Sequence, residues 1–88
     1  MGADLPDATI WDRMVGVMRE VFDDPALEVS RATAAKDVEG WDSLAHVELL
    51  VALQSAFSVR FTTGEMAKLG NAGELADVIA AKVRGERR

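Results

Sequence analysis

The spacing of apolar residues most limits what this 88-residue chain can fold into. Over residues 9–22, 43–57 and 72–83 they recur every three or four positions, as on one face of an amphipathic helix, rather than at every second position, as in a strand. A chain of this length forms one domain, which buries only about 60–65% of the surface of its unfolded chain. The pattern therefore predicts a small all-α domain with a modest core.

Four helices, three longer and one short, account for this spacing. The sequence predicts capping boxes at Thr9 and Thr62, and single N-caps at Asp42 and Asn71. Residues 23–41 show no sustained period. The predicted fold is an all-α, small four-helix bundle with a long loop between helices one and two. The longer helices cover about residues 9–22, 43–57 and 72–83, and the short third helix begins near residue 62.

The second helix carries more apolar residues than one buried stripe can hold. Four of them share a face that is predicted to enter the core: Leu49, Leu50, Leu53 and Phe57. Leu44, Val47 and Val51 lie on a different side of the same helix. Residues on this second side are either packed under the long loop or exposed for a partner.

Composition excludes several classes of function. Without cysteine the chain has no disulfide, no thiolate zinc site and no cysteine nucleophile, and a single histidine, His46, excludes a His-rich metal site. The net charge of −5 disfavours nucleic acid and suits partners that present Lys and Arg. No apolar run approaches the roughly 20 residues of a membrane span, and no secretory segment is recognisable, so the cytoplasm is the expected compartment.

Ser43 follows the predicted N-cap Asp42, so it should lie in the first turn of the second helix and face solvent. The partial positive charge and unpaired N–H groups of a helix N-terminus suit a phosphate attached there. A hydrolase built on Ser43 and His46 is disfavoured, because neither a glycine-rich elbow nor an orienting acid accompanies the pair. Ser43 is therefore a better site for a phosphodiester than for catalysis.

Residues 37–61 closely resemble the segment around the modified serine in acyl carrier proteins. The tripeptide Asp42-Ser43-Leu44 matches the core motif of that family, and Gly40 precedes it with the usual spacing. The resemblance continues through residues 75–79 and covers the chain from about residue 9 to residue 82.

The resemblance implies a non-catalytic carrier domain at residues 8–84, between tails at residues 1–7 and 85–88, that acts as a monomer. A phosphopantetheinyl transferase would move 4'-phosphopantetheine from coenzyme A to the Ser43 hydroxyl, using magnesium that belongs to the transferase. The thiol of this covalent arm would hold acyl groups as thioesters. Further partners would be an acyl-loading ligase or acyltransferase, and a synthase or other acyl-using enzyme.

A docking face is predicted beside Ser43. No Lys or Arg occurs from residue 37 to residue 59, whereas four carboxylates do. An apolar centre with an acidic rim is typical of a protein–protein interface. The docking face consists of Asp42, Leu44, Val47, Glu48 and Val51.

At one place the chain differs from typical fatty-acid carriers, and this difference bears on the pathway. Fatty-acid carriers place several acids where this chain has Gln54, Ser55 and Ala56, and Arg60 adds a positive charge. With Trp41 beside the motif and His46 within the helix, the chain is therefore more similar to stand-alone carriers of secondary-metabolite (polyketide-like) or polysaccharide-linked synthesis. A fatty-acid synthesis carrier, a peptidyl or aminoacyl carrier, and a helical interaction module without a prosthetic group remain alternatives.

Overall fold

The computed structural model describes residues 7–68 and 70–85, and it contains four α-helices and no strand in those ranges. This confirms the predicted all-α fold with four helices. None of the helices in the described ranges has the length and apolar character needed to cross a membrane. Most of the two predicted tails, residues 1–6 and 86–88, lies outside the described residues. The helices are α1 (Asp7–Val21), α2 (Ser43–Phe57), α3 (Thr63–Lys68) and α4 (Ala72–Val83).

Helix α1 begins earlier than the sequence predicted. Because its first residue is Asp7, Thr9 lies inside the helix, and the predicted capping box of Thr9 with Asp12 is wrong. The Asp7 carboxylate is favourable at the positive end of the helix, and it also pairs with Arg84 at the end of α4. The other predicted caps are confirmed. The side chains of Asp42, Thr62 and Asn71 accept the backbone N–H groups of Ala45, Glu65 and Glu74, respectively.

The core lies where α1 packs against α2 and α4. The predicted core face of α2 is confirmed, since Leu49, Leu50 and Leu53 are fully buried and Phe57 is 8% exposed. Burial of each such side chain contributes about 1.5–3 kcal/mol. The other large side chains that are fully buried are Ile10, Met14 and Met18 of α1, and Leu75 and Ile79 of α4.

Residues 22–42 connect α1 to α2 and include one short 3₁₀ helix, Ala35–Asp37. Two of their side chains, Val38 and Trp41, are buried in the core. This burial holds the end of the connection in place, immediately before the start of α2.

Candidate functional site

Ser43 is the first residue of α2, and it is exposed. The preceding residue, Asp42, has an extended backbone and caps the helix: its Oδ1 accepts the N–H of Ala45 at 2.9 Å, and its carbonyl accepts that of His46 at 2.8 Å. The N–H groups of Ser43 and Leu44 have no acceptor among the described residues. An exposed hydroxyl therefore lies beside two free amides at the positive end of a helix, which suits a phosphate.

An open groove of about 630 Å³ adjoins Ser43 between α2 and α3. Trp41, His46, Val47 and Met66 contribute to its walls, which are more apolar than polar. A flexible chain joined to the Ser43 oxygen would therefore have an apolar surface to lie against.

His46 links the start of α2 to α3. The indole Nε1 of Trp41 donates to His46 Nδ1 at 3.1 Å, and His46 Nε2 lies 3.2 Å from the carbonyl oxygen of Met66. Because an indole N–H can only donate, Nδ1 is the acceptor, so Nε2 carries the proton and donates to Met66. Both ring nitrogens are thus engaged, and neither offers a lone pair to Ser43. This arrangement argues against a hydrolase that uses His46 as its base.

Trp41 packs in the connection and also shapes the groove. It is 8% exposed, its ring centroid lies 5.6 Å from that of Phe22, and its indole lines the groove beside Ser43. Trp41 therefore belongs both to the packed connection and to the surface around Ser43.

The second apolar side of α2 is exposed. Leu44, Val47 and Val51 expose 69%, 50% and 54% of their surface, respectively. Of the two alternatives drawn from the sequence, packing under the long loop is therefore wrong.

A smaller depression of about 280 Å³ lies between the end of α1 and the start of α2. Three carboxylate residues, Glu39, Asp42 and Glu48, line it together with Leu44 and Phe22, and its lining includes no Lys or Arg from the described part of the chain. Carboxylates clustered around a depression attract a Lys or Arg side chain of a partner.

Comparisons with known proteins agree with this geometry. The family described as "Phosphopantetheine attachment site" matches residues 12–79, which include all of α2. The chain belongs to the acyl carrier protein family. It is similar to a holo acyl carrier protein from Geobacter metallireducens, solved by solution NMR. That structure is 36% identical, the match covers 90% of this chain and 95% of the other, and the TM-score is 0.77. No curated protein sequence matches the chain.

The prosthetic group of this carrier family is covalently bound 4'-phosphopantetheine, which confirms the predicted cofactor. The described residues fit such a group. The exposed Ser43 hydroxyl offers an attachment point, the amides of Ser43 and Leu44 suit its phosphate, and the groove offers space for its chain.

The structure brings together all the site residues predicted from the sequence. Asp42, Ser43 and Val47 line the groove, whereas Leu44 and Glu48 line the acidic depression. Val51 is exposed one turn beyond Val47 on the same helix. Ser43 thus lines the groove, and its neighbour Asp42 lines both the groove and the acidic depression.

Sequence reasoning missed the internal contacts at the far end of α2. Gln54 Oε1 accepts the N–H of Phe61 at 2.8 Å, and Arg13 donates to the carbonyl of Ala56 at 3.3 Å while lying 5.8 Å above the ring of Phe57. No motif marks these contacts, because they join residues from separate elements. They give Gln54 a structural role in the carrier, at a position where fatty-acid carriers bear acids.

Proposed function

We propose that Ser43 carries the 4'-phosphopantetheine arm of this acyl carrier and that the chain itself catalyses no reaction. The observation that carries the proposal is the exposed Ser43 hydroxyl at the N-terminus of α2, beside two free amides and an open groove. When bound, the arm supplies a thiol that holds acyl groups as thioesters. The chain's own residues expose the attachment oxygen, favour the phosphate charge and present the surface on which partner enzymes dock.

The test of Ser43 is the intact mass of the protein after incubation with a phosphopantetheinyl transferase, magnesium and coenzyme A. The wild-type chain should gain one phosphopantetheine, and Ser43→Ala should gain none. Ser55→Ala is the matched control, because Ser55 is also exposed on α2 and its loss should leave the mass gain unchanged. An unmodified wild type, or a gain that persists in Ser43→Ala, would contradict the proposal.

Partner enzymes dock, in this proposal, on the face formed by Asp42, Leu44, Val47, Glu48 and Val51. The partners are the transferase, an acyl-loading ligase or acyltransferase, and a synthase or other acyl-using enzyme. Three exposed apolar side chains and an acidic depression support this assignment. The complementary partner surface is apolar, with Lys or Arg placed to meet Glu48 and Asp42.

The pathway we infer is secondary-metabolite (polyketide-like) or polysaccharide-linked synthesis. This inference is supported by the absence of acidic residues at the end of α2. The side chain of Gln54 accepts the N–H of Phe61, and Ser55 and Ala56 carry no charge. Arg60, which follows α2, is exposed and adds a positive charge. Loss of acidic rim charges lowers the rate at which a basic partner associates. An acyltransferase of fatty-acid synthesis should therefore act slowly on this carrier and faster on Ser55→Glu with Ala56→Glu. Equal rates on both would contradict the pathway assignment.

An aminoacyl or peptidyl carrier would use the same arm on Ser43. Ligases supplied in parallel with labelled amino acids and labelled acyl groups distinguish the two cargoes, and we expect acyl loading. The carrier domain at residues 8–84, the monomeric state and the cytoplasmic location stay predictions.

A further inference from the structure

The imidazole of His46 meets a backbone carbonyl at the end of α3. Carbonyl groups in the last turn of a helix have no partner four residues further on. Met66 lies in the last turn of the six-residue helix α3, and Gly70, four residues later, donates its N–H to Glu74 Oε1 at 2.8 Å instead. His46 Nε2, from α2, meets the Met66 carbonyl at 3.2 Å. The end of α3 is thereby attached to the start of α2.

Trp41 fixes the orientation of that imidazole. Its Nε1 donates to His46 Nδ1 at 3.1 Å, and the two rings stack with centroids 6.0 Å apart and planes inclined by 24°. Contact with Phe22 in turn holds Trp41. We call Trp41, His46 and the Met66 carbonyl the α2–α3 latch.

The latch borders both the groove and the core, because its residues form part of the groove wall beside Ser43 and Trp41 also belongs to the core. One to two turns further along α2, Leu49, Leu50 and Leu53 are fully buried. A core at native packing density has no room for an added chain unless helices move apart. A group in the groove can therefore reach the core beneath this wall only if α3 moves away from α2.

We propose that His46 is a positioning residue that keeps α3 on α2, so that an acyl group carried on Ser43 lies in the surface groove and not among the core side chains. This inference rests on the proposed function, because it takes Ser43 as the attachment point. It assigns the groove walls at Trp41, Val47 and Met66 as the surface that an apolar acyl group contacts.

The first test needs no arm. In His46→Ala the Met66 carbonyl loses its donor, and loss of a hydrogen bond of typical strength should speed hydrogen exchange of the α3 amides by about fivefold. His46→Gln keeps one acceptor and one donor on its side chain and should restore most of the protection. Thr63→Ala is the matched control, because Thr63 lines the groove outside the latch. Unchanged exchange in His46→Ala would overturn the proposal.

The second test loads each protein with an octanoyl arm, using a phosphopantetheinyl transferase and octanoyl coenzyme A, and records methyl chemical shifts by NMR. In the wild type, octanoylation should shift the methyl groups of Val47 and Met66 and leave those of Leu49, Leu53 and Ile79 unchanged. In His46→Ala the core methyl groups should shift as well, and hydroxylamine should cleave the thioester several-fold more slowly. Core shifts of equal size in both proteins would overturn the proposal.

Trp41→Phe keeps an aromatic ring against Phe22 but removes the donor to His46, so it tests the latch if His46→Ala fails to fold. Its core methyl groups should shift on octanoylation, and the absence of such shifts would also overturn the proposal. Intact mass separates the two hypotheses, because it reports loading of Ser43 independently of the shifts. A wild-type protein that gains no mass would contradict the proposed function and also this inference, because both take Ser43 as the attachment point.

Discussion

Gly73 donates its backbone N–H to the carbonyl oxygen of Arg31 at 2.8 Å, and this bond joins the first turn of α4 to the connection between α1 and α2. A parallel bond runs from Ala72 to the carbonyl of Thr33, also at 2.8 Å. The Arg31 guanidinium continues along α4 to Asp77, again at 2.8 Å. Because these bonds take up N–H groups that a helix start leaves unpaired, they fix the connection that leads to α2.

We predict that Gly73→Ala destabilises the protein. An added Cβ would lie 2.9 Å from the Arg31 carbonyl oxygen, closer than real Cβ atoms approach, and 3.1 Å from the Arg31 Cβ, which is a tight contact. The connection would have to shift, so the free energy of unfolding should fall by about 1–3 kcal/mol, as in other overpacked sites. Urea denaturation measures this change.

Gly16→Ala is the control for that substitution. Gly16 lies in α1, and a Cβ added there meets no heavy atom within 4 Å. Since Ala is the better helix former, this variant should gain up to about 1 kcal/mol of stability. A Gly73→Ala protein as stable as Gly16→Ala would show that the approach of Arg31 does not constrain residue 73.

If partners dock on the proposed face, Glu48→Lys should slow the modification of Ser43, and the size of this effect should depend on salt. Glu48 is exposed and lines the acidic depression, so charge reversal should repel a basic partner without unfolding α2. The rate of Ser43 modification by the transferase should fall by about threefold or more at low ionic strength, and the difference should shrink as salt is added. Far-UV circular dichroism should remain unchanged.

Glu28→Lys makes the same charge change on the connection, where Glu28 is exposed and is not among the described residues that line the groove or the acidic depression. Its modification rate should stay near that of the wild type. Val47→Asp tests the apolar part of the face and should slow modification at every salt concentration, because Val47 is 50% exposed and available for contact. If Glu28→Lys is modified at the same rate as Glu48→Lys and Val47→Asp, partners dock elsewhere.

The sequence predicted α2 and α4 well because their signals are local. Asp42 and Asn71 cap their helices, and the apolar spacing fixes which residues of α2 enter the core. The start of α1 was mispredicted, because Thr9 and Asp12 have capping-box spacing although the helix already includes them. The Trp41–His46 bond has no local signal, since it depends on how the connection folds onto α2.

Glu65 predicts a pH-dependent contribution to stability. The N–H of Thr62, followed by the ammonium of Lys82, holds the pKa of Glu65 below its ordinary value of 4.5. A depressed folded-state pKa stabilises the protein above the ordinary value, and this stabilisation is lost as pH falls through the folded-state pKa. Glu65→Gln should therefore cost up to about 1 kcal/mol near neutral pH, as expected for a partly exposed ion pair, and progressively less as the pH falls below 4.5 and through the folded-state pKa.

The control introduces Glu65→Gln into a protein that already carries Lys82→Met and measures the change in stability again. Lys82 Nζ lies 2.9 Å from Glu65 Oε1, so removing it should reduce the pH-dependent difference in stability that Glu65→Gln produces. Chemical denaturation at several pH values measures the wild type, the two single variants and the double variant. A difference that grows towards low pH would have the wrong sign for this ion pair.

Asp42 should act both as a helix cap and as a docking charge, and two substitutions separate these roles. Asp42→Ala removes the acceptor that holds the Ala45 amide at 2.9 Å, so it should cost about 1 kcal/mol of stability. Asp42→Asn keeps an equally good cap and should leave stability within a few tenths of a kcal/mol, yet it removes a charge from the acidic depression and should slow modification of Ser43. Asn71→Ala is the matched control: it removes the corresponding cap of α4, so it should lose similar stability without slowing modification. If Asp42→Asn is modified at the wild-type rate, the Asp42 carboxylate is only a cap, and the attraction for partners must come from Glu48 and Glu39.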